Sequence, residues 1–111
     1  MKKIKSCSME EQPNYTYEIE YEGEVIAEAK MLSSLENETW FQEKTALRKQ
    51  YRAITLSITK WAFVDEKGEH LPIDIHTLDK IIAPEYVMTM SKAVFDKINE
   101  WRENREAILK N

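Results

Sequence analysis

The two histidines, His70 and His76, are the first candidates for chemistry because imidazole is the commonest side-chain ligand of transition metals. Three carboxylates are near them in sequence, those of Glu69, Asp74 and Asp79. A zinc site needs three or four converging ligands, and Glu69-His70-x5-His76 matches no compact metal motif. We therefore expect one histidine in a loop, the other near a helix start, and no metal.

Cys7 is the single cysteine of the chain. A catalytic thiolate needs a nearby base or a positive field, and no sequence pattern ties Cys7 to either. A lone cysteine forms no internal disulfide and suits a reducing compartment.

Phosphate-binding loops are excluded, because the chain has 2 glycines and neither a GxxxxGK[ST] nor a GxGxxG motif. We predict no catalytic residues and no cofactor, and hence a protein that is not an enzyme.

A row of acidic residues, Glu18, Glu20 and Glu22, falls on one face of a predicted hairpin. Glycosidase chemistry requires two carboxyls in unlike environments across a cleft, which a row on one strand does not provide. The row is more typical of a solvated face that discourages unwanted edge pairing. A surface for a basic partner is the other interpretation, and the sequence leaves both open.

A basic patch, Lys44, Arg48, Lys49 and Arg52, is the best candidate for nucleic-acid binding. Four charges on a chain of net charge −4 would give weak, salt-sensitive binding to phosphates. The patch fits equally well against the acidic hairpin or an acidic partner. A small nucleic-acid-binding regulator is therefore the least favoured of the binding hypotheses.

The composition of the 111 residues fits one domain, residues 1–111, with 42% apolar and 32% charged residues. Residues 1–39 carry 4 basic and 9 acidic side chains, a net of −5. No apolar run approaches the ~20 residues that cross a bilayer, and no apolar signal core follows the basic start. We expect no membrane partner and a protein that stays in the cytoplasm where it is made.

The first third of the chain predicts a tail or first strand over residues 1–13 and a β-hairpin over residues 14–32. Apolar and polar residues alternate from Tyr15 to Tyr21, as in a half-buried strand, and Glu22-Gly23 supplies the turn. Two strands alone are marginally stable in water. The hairpin must therefore rest on helices or gain strands from another subunit.

Residues 33–111 predict a mainly helical part of about three helices, which makes the fold class α+β. A helix is expected over about residues 45–63, a short one through Leu78 and Ile82, and a long one over about residues 84–109. For residues 53–59 a strand is the competing interpretation, because Ile54, Leu56 and Ile58 alternate with polar residues. Helix is preferred, since the apolar stripe of the longer segment also includes Leu47, Tyr51 and Trp61.

The chain is rich in residues common at protein interfaces, with 3 tryptophans, 5 tyrosines and 5 methionines. On the last helix, Tyr86, Val87 and Met90 form a predicted partner-binding face, because one core cannot take all the apolar residues there. A helical partner would bind such a face in the helix-in-groove manner.

The segment from Ala53 to Trp101 resembles small tail-assembly proteins of long-tailed bacteriophages and prophages. The parts that carry the resemblance are a helix ending in Trp61, the turn Val64-Asp-Glu-Lys-Gly68, the segment Leu71-Pro72-Ile73, and a helix from Pro84-Glu85 to Ile98-Asn-Glu-Trp101. The hairpin-then-helix layout of the first half is also similar to that of tail assembly chaperones.

This resemblance implies a non-enzymatic protein that binds the tape-measure protein, a long helical structural protein, in the cytoplasm of a bacterial host. It implies structural roles for Trp61, Gly68 and Pro72, and a homo-oligomer is compatible with it. A permanent virion subunit, for head–tail joining or tail completion, is the alternative.

Overall fold

The computed structural model describes residues 2–3 and 8–110, apart from the side chains of residues 108 and 110. Cys7 lies outside the described residues, so the expectation that it is not catalytic stays a prediction. After a 3-10 turn at Met9–Glu11, the elements are β1 (Thr16–Tyr21), β2 (Glu24–Lys30), α1 (Ser34–Phe41), α2 (Ala46–Ser57), β3 (Ile58–Trp61), α3 (Ile75–Lys80) and α4 (Pro84–Lys110). A three-stranded antiparallel sheet, which begins with the N-terminal hairpin, and a mainly helical remainder confirm the α+β class. The described part has four α-helices instead of about three.

The predicted hairpin is confirmed, with β1 and β2 antiparallel and joined by a two-residue turn. Glu22 and Gly23 both have positive φ, +51° and +84°. Positive φ at both central residues defines a type I′ turn, whose twist matches that of the flanking strands. Glycine adopts this conformation without a steric penalty, whereas Glu22 does so at some cost.

The predicted helix over residues 45–63 is wrong beyond Ser57. Helix α2 ends there, and Ile58 begins β3, which pairs antiparallel with β2 through Ile58–Ala29 and Ala27–Trp61. Each interpretation of residues 53–59 is therefore correct for a part of the segment. Pairing with β2 decides the change, because it satisfies the backbone of β3 and buries Ile58 and Trp61 together.

The helices cover one face of the sheet, whose strand order is β1-β2-β3. Ile19 is buried on that face, while Glu18 and Glu20 are exposed on the other. Helix α4 packs against β1 and α2, and α1 packs against α2. One core results, formed by Ile19, Ile26, Ala27, Ala29, Leu32, Trp40, Ala53, Ile54, Ile58, Trp61, Leu78, Ile82, Val87, Met90, Val94 and Ile98.

Helix α4 continues past this core. Its 27 residues span about 40 Å, and residues 99–107 are exposed except for the half-buried Trp101. The molecule measures 60 × 29 × 22 Å. The exposure of its last turns shows that α4 extends beyond the core. None of the described helices is both long enough and apolar enough to cross a membrane.

Candidate protein-binding surfaces

The predicted partner-binding face on α4 belongs to the core of the chain itself. Val87 and Met90 are buried, so the expectation that they form a spare apolar face is wrong. Tyr86 is half-buried and makes edge contacts with Tyr21 and Phe63, with ring centroids 4.9 and 5.3 Å apart. The sheet packs on this side of α4 and leaves a different side exposed.

Met88 lies on the exposed side of α4, where a groove of about 500 Å³ runs between the helix and strand β1. Lys92 and Asp96 form an ion pair of 2.7 Å on the same side. We call this the β1 groove; it is lined by Glu18, Ile19, Glu20, Met88, Thr89, Lys92, Ala93 and Asp96. The position of Met88 outside the apolar stripe of α4 was the feature of the sequence that could have indicated this groove.

A second cleft, of about 270 Å³, separates α1 from the projecting part of α4. We call it the α1–α4 cleft; it is lined by Ser34, Asn37, Glu38, Trp40, Phe41, Ile98, Trp101, Arg102 and Arg105. Sequence reasoning missed this cleft. The apolar pair Trp40-Phe41 within a polar segment was the signal that could have indicated it.

Helix α1 is held in position by a capping box at its first turn. The Ser33 hydroxyl accepts a hydrogen bond from the Glu36 amide at 3.3 Å, and the Glu36 carboxylate accepts one from the Ser33 amide at 3.0 Å. Lys30, at the end of β2, pairs with Glu36 at 2.9 Å. Burial would raise the pKa of Glu36, but these hydrogen bonds and the Lys30 charge outweigh burial and lower it.

Aromatic side chains form the apolar part of the α1–α4 cleft. Trp40 is buried, donates its indole N–H to Asn37 Oδ1 at 2.8 Å, and packs edge-on against Phe95. The neighbouring Phe41 ring is 62% exposed. Across the cleft, the guanidinium of Arg105 lies 5.5 Å from the ring centroid of Trp101. The cleft thus has a fixed apolar floor and a cationic rim.

Three of the four residues of the basic patch lie on α2, and two of these three contact other side chains. Lys44 precedes α2, and the Lys49 ammonium lies 4.7 Å from the centroid of the Phe41 ring. Arg52 is 3.7 Å from the Glu43 carboxylate. Lys44 and Arg48 are exposed, so the patch offers two unengaged cations rather than a basic stripe.

The histidines do not converge with other ligands. His70 lies in a bridge opposite Val64, and His76 is exposed on α3. Asp74 caps α3 by accepting a hydrogen bond from the Thr77 amide at 2.8 Å, which lowers the pKa of Asp74. Within residues 2–3 and 8–110, no three histidine, cysteine or acidic residues are placed to hold a metal ion.

Trp61 and Gly68, two of the residues that carry the resemblance to phage tail-assembly proteins, make contacts that support the fold. Trp61 is buried and donates its indole N–H to the Leu71 carbonyl at 2.8 Å, beside Pro72. Gly68 has a φ of +82° in a turn where the Asp65 carboxylate accepts hydrogen bonds from two backbone amides. No family model, curated protein or solved structure matches this chain, so its own geometry must support any functional conclusion.

Proposed function

We propose that this protein is a non-enzymatic assembly protein that binds a helical segment of a partner protein in the α1–α4 cleft. The observation that supports the proposal is the extension of α4 beyond the core, which places Trp101 across a cleft from the exposed ring of Phe41. Both rings lie at the surface, where water now covers part of their apolar area.

The chemistry of the cleft suits a helix better than a small polar ligand. Tryptophan, tyrosine and arginine carry much of the binding energy of protein interfaces, and apolar grooves accept the apolar side of an amphipathic helix. Apolar side chains of the partner would cover Phe41 and Trp101. Acidic side chains next to them would meet Arg102 and Arg105 at the rim.

The resemblance to phage tail-assembly proteins supplies the proposed context. In it the chain acts as a tail assembly chaperone-like factor that holds a tape-measure protein until assembly, in the cytoplasm of the bacterial host. A long helical protein has many apolar stripes that aggregate when exposed, and a cleft with an aromatic floor would cover one of them.

Co-expression with the tape-measure protein encoded in the same genome tests this proposal. We expect the soluble yield of the tape-measure protein to rise, and Phe41→Ala and Trp101→Ala to reduce that gain. Leu47→Ala is the matched control, because Leu47 is an apolar residue, 51% exposed, outside the cleft. An unchanged yield, or equal effects of Phe41→Ala and Leu47→Ala, would contradict the proposal.

The alternative is a permanent virion subunit for head–tail joining or tail completion. It differs from a chaperone in that the protein is present in the finished particle. A chaperone leaves before the particle is complete, whereas a joining subunit stays in it. Mass spectrometry of purified particles distinguishes the two: detection of this chain in stoichiometric amounts would favour the subunit.

A further inference from the structure

Strand β1 forms one edge of the sheet. The directions of its backbone N–H and C=O groups follow from its pairing with β2. The Met31 amide donates to the Tyr15 carbonyl at 2.6 Å, and Tyr17–Ala29 and Ile19–Ala27 continue this register. Residues between hydrogen-bonded positions of an antiparallel pair direct their N–H and C=O groups away from the partner strand. Those of Thr16 and Glu18 therefore face outward. The register shifts between Ile19 and Glu20, and Glu20 has an exposed side chain at this end of the strand. No described residue adds a strand to this edge.

The β1 groove runs along this edge, with α4 as its wall. Met88 is 68% exposed in the groove, and Ala93 lies farther along it. A strand hydrogen-bonded to β1 would lie about 4.8 Å away, and its side chains would alternate between two faces. One set would enter the groove over Met88 and Ala93, and the other set would lie beside Glu18 and Glu20.

The charges on the face of the sheet opposite the helices indicate which kind of strand would bind to β1. Glu18 pairs directly with Glu28 on β2, and like charges in this position are destabilising. Lys60 of β3 is paired with Glu28 on its far side. An incoming strand with positive charges beside Glu18 and Glu20 would relieve the repulsion. A second copy of β1 would bring glutamates to the same edge and increase it.

We propose that the β1 edge binds an extended segment of a partner protein in which lysine or arginine alternates with apolar residues. The segment adds as a fourth strand: its basic side chains pair with Glu18 and Glu20, and its apolar side chains cover Met88 and Ala93. Backbone hydrogen bonds hold the strand, while the alternating side chains give the specificity. This surface is distinct from the α1–α4 cleft.

Fluorescence anisotropy of labelled peptides with the full chain tests the proposal. A peptide of about eight residues that alternates lysine with valine covers the 6 residues of β1, and a glutamate–valine peptide is its control. We expect the lysine peptide to bind and the glutamate peptide not to bind. Methylation of the backbone amides of the lysine peptide should abolish binding, because methylated amides cannot donate to the edge.

Two charge-reversed variants separate pairing at the edge from attraction by net charge. Glu18→Lys with Glu20→Lys should weaken binding about tenfold, since two cross-strand pairs change from attractive to repulsive. Glu103→Lys with Glu106→Lys makes the same charge change on the projecting end of α4 and should have a much smaller effect. Equal weakening by both variants, or undiminished binding of the methylated peptide, would overturn the proposal.

The first residues of the chain are a competing occupant, because they include Lys2, Lys3 and Lys5. A variant with all three changed to glutamine tests for it, because it removes their positive charges without adding negative ones. Binding of the lysine peptide by this variant alone, and not by the natural chain, would assign the edge to the chain's own lysines and overturn the partner proposal. None of these variants changes a residue that lines the α1–α4 cleft, and Glu18→Lys with Glu20→Lys is on the other surface, so the two binding proposals can be tested separately.

Discussion

Met88 and Met90 are two residues apart on α4 and have opposite surroundings. A helix turns 100° per residue, so the two side chains point about 200° apart. Met90 is fully buried against the sheet and α2, whereas Met88 is 68% exposed in the β1 groove. Methionine on a surface offers a flexible apolar contact that adapts to different partners.

Met90→Ala should lower the free energy of unfolding by about 2–5 kcal/mol, because it leaves a cavity in a close-packed core. Met88→Ala should change it by less than about 0.5 kcal/mol. Urea unfolding followed by tryptophan fluorescence measures both. If the two variants had equal stability, the packing of α4 described above would be incorrect.

At the scale of single elements, the stability of helix α1 depends on the capping of its first turn more than on the burial of apolar side chains. Of its 8 residues, Trp40 is the buried one. The capping box satisfies backbone amides of the first turn that have no partner within the helix. The helix in turn determines where Phe41 lies in the α1–α4 cleft.

Ser33→Ala should destabilise the protein by about 1 kcal/mol, since it removes the hydroxyl that accepts a hydrogen bond from the Glu36 amide. Ser34→Ala is the matched control, because Ser34 is exposed and lies one residue inside the helix. Thermal unfolding by circular dichroism gives the comparison. A Ser34→Ala variant as destabilised as Ser33→Ala would exclude the cap as the cause.

The chain passes from helix α2 to strand β3 without a loop between them. The segment from Ile54 to Thr59 alternates isoleucine or leucine with threonine or serine, so it suits a helix or a strand. Helix α2 keeps Ile54 in the core, and the change at Ile58 allows pairing with β2. Local preference is balanced there, and the sheet decides the outcome.

At the scale of the whole molecule, Tyr17 joins the sheet to the helices. Its ring lies 5.4 Å from the Lys97 ammonium on α4, and its hydroxyl is near the end of α2. Burial raises the pKa of Tyr17 to about 12 from its usual 10.0, and the nearby Ser57 hydroxyl opposes this in part. The two hydroxyls do not form a hydrogen bond of normal geometry, since Ser57 Oγ has no partner.

This raised pKa predicts a loss of stability in alkali. Well below pH 10 the phenol of Tyr17 is neutral in both the folded and the unfolded state, and its full contribution to stability is present. Between pH 10 and about 12 the unfolded chain loses the proton first, so the folded state becomes less favoured. Melting temperatures of the natural chain should fall more steeply over this range than those of Tyr17→Phe, and parallel curves would contradict the assignment.

The sequence by itself determined the local features of this protein. Alternation from Tyr15 to Tyr21, the Glu22-Gly23 turn, the cap at Ser33 or Ser34 and the start of α4 at Pro84 all depend on residues a few positions apart. They follow from backbone conformation and short-range hydrogen bonds, which neighbouring residues fix. The α+β class followed from them.

Tertiary structure alone decided the position of β3, the side of α4 that is buried, the α1–α4 cleft and the β1 groove. These features depend on pairs far apart in the chain, such as Ala27 with Trp61 and Tyr21 with Tyr86. The acidic row of β1 was already identified from the sequence as a possible surface for a basic partner. An apolar stripe shows that a helix has a face to bury, but it does not show which element covers that face. Met90 was therefore predicted at the surface and lies in the core, while the exposed edge of β1 became evident only when the three strands were placed in order.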